Sequence, residues 1–286
     1  MEAPPVRYTT TSDGFDIAYA VGGKGPPLVF MPFHFNHVRR RWSSSSSTYA
    51  RGLAESWRVH LYDSRGQGMS TRGLESDPTP DDYRVDLEAV IAANQLGRFV
   101  LVAYAGFAHV AVRYAIDHPE QVHALILICT SASFSAWPLL SMLPLAEKNW
   151  DLFLDLTAGE NGPDEWKARA IDFLTTATTQ QDHIRLVRGF SESDVGDLLP
   201  HLKLPVLLLH SESQHWLSPE EGVKLAARIP NARLVFLKGD AEPDDVQFVR
   251  AALEFLGELP PLQLDQPDGI GRPAAIALSA RQGEVL

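Results

Sequence analysis

The stretch that most constrains the fold of this 286-residue chain is residues 98–118, RFVLVAYAGFAHVAVRYAIDH. Its first part, Phe99 to Ala103, is an unbroken apolar run rich in β-branched and aromatic residues, which is typical of a strand buried on both faces. A tight corner follows at Tyr104 to Gly106. From Phe107 the chain is rich in Ala and Val until Pro119, which predicts a helix closed by a proline. The stretch therefore predicts a strand, a sharp corner and a helix of small residues.

Buried-strand patterns alternate with helical patterns along most of the chain. A β-hairpin is expected at residues 7–21, and the later strand-like runs begin at Leu28, Arg58, Phe99, Ala124, Pro205 and Arg233. This alternation predicts an α/β protein with a mostly parallel, doubly wound sheet. Ligands of such sheets bind beyond the carboxyl ends of the strands. The corners at Pro32, Asp63, Tyr104 and His210 are expected at that edge.

The pattern changes twice in the second half of the chain. Residues 131–199 contain amphipathic helical pieces without a buried strand, which predicts a helical insertion. A polar stretch bearing glycine and proline occupies residues 258–277 and reads as a linker. We therefore divide the chain into a core of residues 1–130 and 200–257, the insertion at 131–199, the linker, and a new element that begins at 278–286.

Charge and composition exclude several functions. The formal net charge of −11 repels DNA phosphates and argues against a nucleic-acid surface on this chain. No secretory pattern or long apolar run is visible, and one cysteine offers no disulfide within the chain, so we expect a cytoplasmic protein without a membrane segment. The scattered histidines lack metal-ligand spacing. We expect neither a metal nor a cofactor.

The motifs together resemble the α/β-hydrolase family over roughly residues 6–257. The loop DSRGQGMS, Asp63 to Ser70, is similar to the family's D-x-R-G-x-G-x-S loop, and the strand, corner and helix at 98–118 resemble its nucleophile elbow, G-x-S-x-G. Segments 204–222 and 232–256 look like those that usually carry the catalytic acid and histidine. The resemblance implies the α/β-hydrolase fold, with an eight-stranded, mostly parallel sheet and a helical cap.

The catalytic triad implied by this resemblance is missing from the sequence. Ala105 occupies the nucleophile position and Gln214 the acid position. The histidine position falls on Glu242, or on Ala241 if the alignment shifts by one residue. Serine-hydrolase chemistry needs a nucleophile, a base that takes its proton and an acid that orients the base. We therefore expect no catalytic residues of that kind.

A comparison of residue order supports the same expectation without an alignment. The fold orders its triad as serine, acid and histidine. No histidine follows His215, and no serine lies between Ser76 and Ser131. The elbow serine is therefore absent and not merely displaced by a residue or two.

A ligand pocket is expected above the elbow, under the insertion. The resemblance implies that the backbone N–H groups of Gly106 and His34 are oxyanion donors, so a small apolar ligand or one bearing a carbonyl or carboxylate suits the pocket. Phe107 either projects toward the pocket or repacks the core, and Trp137 either contacts the ligand or belongs to the cap core. The full candidate set is Phe33, His34, Tyr104, Ala105, Gly106, Trp137, Gln214, His215, Ala241 and Glu242.

The last nine residues, LSARQGEVL, carry a second resemblance. Ser279 and Gln282 form a capping box that opens a helix. The segment is similar to the opening of a LuxR-type helix-turn-helix domain, although an unrelated terminal helix or tail is the alternative. The resemblance implies a longer regulator that binds DNA only through a missing C-terminal domain, and a homodimer is left open.

The resulting functional prediction is a non-catalytic small-molecule-sensing domain of a transcriptional regulator, with the ligand between core and cap. Two other hypotheses stay open. One is a divergent α/β-hydrolase-fold enzyme with a rebuilt active site that uses His34, Tyr104, His215 or Glu242 as a base. The other is a protein-interaction or dimerisation module with a collapsed pocket.

Overall fold

An eight-stranded sheet organises the computed structural model, which describes residues 3–43, 48–159, 164–212, 217–238 and 245–262. The order in the sheet is β1-β2-β4-β3-β5-β6-β7-β8. β2 pairs antiparallel with β1 and β4, and the other neighbours pair in parallel. The strands are β1 Arg7–Thr10, β2 Asp16–Gly22, β3 Pro27–Phe30, β4 Arg58–Tyr62, β5 Phe99–Tyr104, β6 Val122–Ile128, β7 Val206–Ser211 and β8 Ala232–Leu237. The predicted fold class is confirmed.

Helices cover both faces of the sheet. The central strands β5 and β6 are therefore buried along almost their whole length. Leu101 and Ala103 face one apolar cluster, whereas Val100 and Val102 face the other, as the two-residue period of a strand requires. The helices are α1 Val38–Ser43, α2 Thr48–Leu53, α3 Pro80–Ala93, α4 Phe107–Asp117, α5 Pro138–Lys148, α6 Trp150–Thr157, α7 Asp164–Ala177, α8 Gln180–Phe190, α9 Pro219–Ala226 and α10 Asp245–Gly257. α3 and α4 pack on the first cluster, and α1, α2 and α10 on the second.

The ends of the predicted helices have local causes. Pro80 begins α3, and the Asp82 carboxylate accepts a 2.7 Å hydrogen bond from the Thr79 N–H, one of the donors that a helix start leaves unpaired. α4 ends at Asp117, two residues before Pro119. None of the described helices has the length and apolar character needed to cross a bilayer.

Helices α5–α8 occupy the predicted insertion between β6 and β7 and are called the cap below. An isolated antiparallel bridge pairs Ser133, where the cap begins, with Asp194, where it ends. α8 buries His183, Leu186 and Phe190 on its inner side. The predicted linker beyond residue 262 and the tail at 278–286 lie outside the described residues.

Candidate active site

The corner between β5 and α4 has the strained backbone of a nucleophile elbow. Ala105 has a φ of 55°, in the left-handed region that non-glycine residues rarely adopt. Two hydrogen bonds from the next strand and its loop hold it there: the Ala105 N–H donates to the Ile128 carbonyl at 3.0 Å, and the Thr130 hydroxyl donates to the Ala105 carbonyl at 2.9 Å. The elbow is therefore built as the sequence predicts, with a methyl group at its tip.

Two backbone N–H groups beside the elbow lack a protein acceptor among the described residues. Within the part of the chain that the structure describes, neither the Gly106 N–H nor the His34 N–H donates to a protein acceptor. Gln67 fixes the His34 loop, because its Nε2 donates to the carbonyls of Phe33 at 2.8 Å and His34 at 2.9 Å. These donors can stabilise negative charge on a carbonyl oxygen.

Glycine at position 106 allows the elbow backbone to lie close to Phe134 and His34. A Cβ at this position would lie 2.7 Å from Cε2 of Phe134 and 3.3 Å from Nε2 of His34. The His34 ring nitrogen is therefore a neighbour of the elbow backbone.

His34 is buried and neutral. Only 5% of the residue is exposed, and its ring lies 5.8 Å from Phe134 and 6.0 Å from Trp137, between centroids. Burial, with a smaller effect of the nearby His109, lowers the pKa of His34 to about 3. Its Nε2 has no hydrogen-bond partner among the described residues. A neutral imidazole with an unpaired ring nitrogen can exchange a proton or a hydrogen bond with a bound molecule.

Aromatic rings join the core side of the site to the cap. Phe33 lies 4.7 Å from Tyr104, and Tyr104 lies 6.4 Å from Trp137, between ring centroids. The structure thus brings together six of the predicted site residues, Phe33, His34, Tyr104, Ala105, Gly106 and Trp137. The remaining four, Gln214, His215, Ala241 and Glu242, lie outside the described residues.

Phe107 repacks the core. Its ring lies 5.1 Å from Tyr83 of α3 and 5.5 Å from Phe190 of α8, and it is fully buried. Sequence reasoning missed Phe190, which touches the rings around the elbow from the cap side. The available signal was its place on the buried side of α8, seven residues after His183.

His183 is a second buried histidine that the sequence analysis did not single out. It stacks on Phe35 at 4.8 Å and lies 4.9 Å from Phe153, and its Nδ1 is unpaired among the described groups. Burial lowers its pKa to about 3, with a smaller contribution from His34. The cap therefore adds a neutral polar side chain to the aromatic rings around the site.

Asp63 holds two loops together. Its carboxylate accepts hydrogen bonds from Asn36 Nδ2 at 2.7 Å, from the Val38 N–H at 2.8 Å and from the Met69 N–H at 2.9 Å. Burial raises its pKa to about 6. The loops after β3 and β4 are fixed in this way, and the first of them carries His34. Across the described ranges, no three histidine, cysteine, aspartate or glutamate side chains gather where they could hold a metal ion.

Comparisons with known proteins agree with this architecture. A family profile described as the alpha/beta hydrolase fold matches residues 40–152. The chain is 24% identical to N-formylmaleamate deformylase of Pseudomonas putida over 76% of this chain and 81% of that protein. It is 26% identical to AB hydrolase superfamily protein YclE of Bacillus subtilis over 42% of this chain. The structure of bromoperoxidase from Bacillus anthracis superposes with a TM-score of 0.76 at 19% identity, covering 89% of this chain and all of that one.

Some of these sequence matches are partial. The match spans 40% of the length of YclE and 44% of putative carbamate hydrolase RutD of Caulobacter segnis, so less than half of each of these curated relatives.

The comparisons overturn the predicted function. Relatives and structural neighbours that match most of the chain are named as a deformylase, esterases and peroxidases. The prediction of a non-catalytic sensing domain of a transcriptional regulator is therefore wrong, and the alternative of a divergent enzyme is better supported. The physical reason is that replacement of the triad leaves other parts of the site in place, namely the strained elbow, the Gly106 N–H and the neutral His34. The chain therefore has the α/β-hydrolase fold.

Proposed function

We propose that the chain is a divergent α/β-hydrolase-fold enzyme that acts on a small carbonyl compound at the elbow, with chemistry that does not use an elbow serine. The observation that carries the proposal is the neutral, buried His34, whose unpaired Nε2 lies beside the Gly106 backbone. In this proposal Ala105, Gln214 and Glu242 or Ala241 stand at the former triad positions and supply no nucleophile, acid or base of the usual kind.

The N–H groups of Gly106 and His34 support a carbonyl substrate. An oxyanion that develops on a carbonyl oxygen gains from preorganised N–H donors in a site that excludes water. Ala105 contributes a methyl group, which adds apolar contact but cannot attack. A reacting carbonyl held at Gly106 therefore needs its base or nucleophile from another residue.

The wall of the site favours an apolar, uncharged substrate. Phe33, Tyr104 and Trp137 supply rings, and His34 and His183 are kept neutral by burial. Burying a charged group beside neutral imidazoles is costly, because neither imidazole carries a charge that could pair with it. The names of the relatives, among them a deformylase and a methyl ester esterase, support cleavage of a carbonyl–heteroatom bond.

The experiment that tests the proposal is a turnover assay with the purified full chain on aryl esters, lactones and N-aryl amides. We expect product formation above the buffer rate and a loss of about 100-fold in kcat/KM in the His34→Phe variant, which keeps the aromatic packing and removes the ring nitrogens. His123→Gln is the matched control, since His123 lies near the start of β6, at the opposite end of the strand from the elbow. Turnover absent from every substrate class, or unchanged in His34→Phe, would contradict the proposal.

A further inference from the structure

A serine and a histidine meet where the two ends of the cap contact the elbow helix. His109 lies on α4, four residues after Ala105, and is completely buried. Its Nδ1 is 2.8 Å from the Ser193 hydroxyl at the end of the cap, and its Nε2 is 2.9 Å from the Ser131 carbonyl oxygen at the beginning. Both distances are those of well-formed hydrogen bonds.

The Ser131 carbonyl fixes the tautomer of His109. A carbonyl oxygen only accepts, so Nε2 carries the proton and donates it to Ser131. Nδ1 then has the lone pair, and the Ser193 hydroxyl donates to it. Burial lowers the pKa of His109 to about 4, so the imidazole is neutral near pH 7 and able to take a proton.

This arrangement has the parts of an activated nucleophile: a hydroxyl that donates to a neutral imidazole, and a third group that orients the imidazole. We propose that Ser193 is the nucleophile of the enzyme, with His109 as its base and the Ser131 carbonyl as the group that orients the base. The proposal rests on the proposed function, because it names the residue that replaces the missing elbow serine.

Ser193 adjoins the site described above. The Phe134 N–H donates to the Ser193 carbonyl at 2.9 Å, and the Phe134 ring is the nearest neighbour of the Cβ position of Gly106. His109 is also close enough to His34 to lower its pKa. The Ser193 residue as a whole is 7% exposed, so it is buried but not completely covered.

The proposed reaction balances as acyl transfer. The Ser193 oxygen forms a bond to the carbonyl carbon of an ester while its proton passes to His109 Nδ1. The bond from that carbon to the leaving oxygen breaks, and the leaving oxygen takes the proton from His109. Water then attacks the acyl-serine with the same base, which releases a carboxylic acid and restores the serine.

If His109 only linked the cap to α4, it would need fewer hydrogen-bonding groups than it has. The Nε2–H of His109 already satisfies the Ser131 carbonyl and ties the cap to α4, and a glutamine amide could make the same hydrogen bond. The lone pair on Nδ1, which points at a serine hydroxyl, adds a basic site that such a link does not require.

Covalent labelling separates the two roles without knowledge of the substrate. Diisopropyl fluorophosphate reacts with an activated serine when the serine oxygen bonds to phosphorus, fluoride leaves and the base takes the proton. We expect one adduct on the wild-type chain, located at Ser193 by peptide mass spectrometry. The Ser193→Ala variant should lose the adduct, and His109→Gln should form it about 100-fold more slowly, because the amide donates to Ser131 but accepts no proton.

The matched control is Ser191→Ala. The Ser191 hydroxyl lies two residues before Ser193 and donates to the Arg188 carbonyl at 2.7 Å, so labelling should persist at the wild-type rate. Circular dichroism checks that each variant is folded, and the location of the adduct on the wild-type chain is decisive even if a variant unfolds.

The pH dependence of labelling gives a second readout. The charged neighbours of His109 are Asp194, which raises its pKa, and Arg113, which lowers it, with the neutral His34 also close by. Because the base is already neutral, labelling at Ser193 should be flat between about pH 6 and 8 and should fall as pH approaches 4. A hydroxyl without a base would instead react faster as pH rises.

The outcomes distinguish this inference from the proposed function. An adduct at Ser193 that depends on His109 supports the inference, even if the turnover panel shows no product. No adduct, or an adduct elsewhere, overturns it, whereas turnover that depends on His34 would still stand. An adduct at Ser193 that forms equally fast in His109→Gln also overturns the assignment of the base.

Discussion

The guanidinium of Arg65 lies against the carboxylate of Asp86, at 2.8 Å from Nε and 2.7 Å from Nη2 to Oδ1, and both side chains are buried. Asp86 also accepts a 3.0 Å hydrogen bond from the Arg65 N–H. On its other side, Arg65 contacts Asp13 in the turn between β1 and β2 at 2.6 Å. One arginine thus ties the loop after β4 to α3 and to the first hairpin.

Removal of this arginine should destabilise the fold. In Arg65→Met the Asp86 carboxylate stays buried without its cation, so we expect the free energy of unfolding to fall by about 3–5 kcal/mol. Urea denaturation at pH 7 measures the change. Arg233→Met, which breaks an exposed pair with Glu258, should leave the stability almost unchanged. Equal losses in the two variants would contradict the assignment of Arg65 as a buried link.

The protein should lose stability as the pH falls from 7 to 5, above the pH at which exposed carboxylates titrate. Burial lowers the pKa of five described histidines to about 3 or 4 in the folded state, whereas an unfolded histidine titrates near 6.5. Their contribution is therefore complete above about pH 6.5 and is lost as pH falls toward 4. These residues are His34, His60, His109, His183 and His210.

Two buried carboxyl groups have the opposite effect on the pH dependence of the free energy of unfolding. Burial raises the pKa of Asp63 and Asp86 from 3.8 to about 6, so both bind a proton in the folded state before the unfolded state does. The histidines outnumber them, and unfolding at pH 5 should take up roughly three protons net, on the order of 4 kcal/mol per pH unit. Urea midpoints at pH 7, 6 and 5 measure this slope. It should be smaller in His183→Phe, and a stability that does not fall between pH 7 and pH 5 would contradict the prediction.

The strained corner gives a prediction at Ala105. Glycine relieves the left-handed backbone there, which offsets the extra chain entropy and the lost methyl contact, so Ala105→Gly should change the free energy of unfolding by less than about 0.5 kcal/mol. Ala103→Gly, two residues earlier in a regular strand, should cost about 1–2 kcal/mol. Thermal unfolding of both variants tests the contrast. If the corner is unstrained, the two losses will be alike.

Phe190 should carry much of the contact between cap and core. It is fully buried and lies 5.3 Å from Tyr83 and 5.5 Å from both Phe107 and Phe134, between centroids. Phe190→Ala should therefore lower the free energy of unfolding by about 3–5 kcal/mol. Trp166→Ala, a truncation of a cap side chain that is 69% exposed, should change it by less than about 0.5 kcal/mol. A loss of less than 1 kcal/mol in Phe190→Ala would contradict this account.

The parts of the fold that sequence predicts are those fixed by neighbours along the chain. The apolar run before Ala105 and the proline at 119 mark the elbow strand and helix, and both lie where the pattern puts them. The motif from Asp63 to Ser70 likewise marks the loop after β4, which is where the structure places it.

The parts that sequence misses depend on contacts between distant segments. Ser193 meets His109 across 84 residues, and Gln67 fixes the His34 loop from 33 residues away. No spacing along the chain reveals such a pair, because the strand order and the path of the cap decide it. The functional prediction was wrong for the same reason. The missing serine at position 105 is visible in the sequence, whereas the groups that surround this position come from distant segments.

The bridge between Ser133 and Asp194 has an evolutionary consequence. An insertion that leaves and re-enters the core at one point can be gained, lost or exchanged as a single continuous stretch of gene, because β6 and β7 are paired with each other whatever is attached. Recombination at these two residues would attach a new cap to an unchanged elbow. Substrate preference in such a lineage can then change by jumps, while the strained corner beneath it is inherited intact.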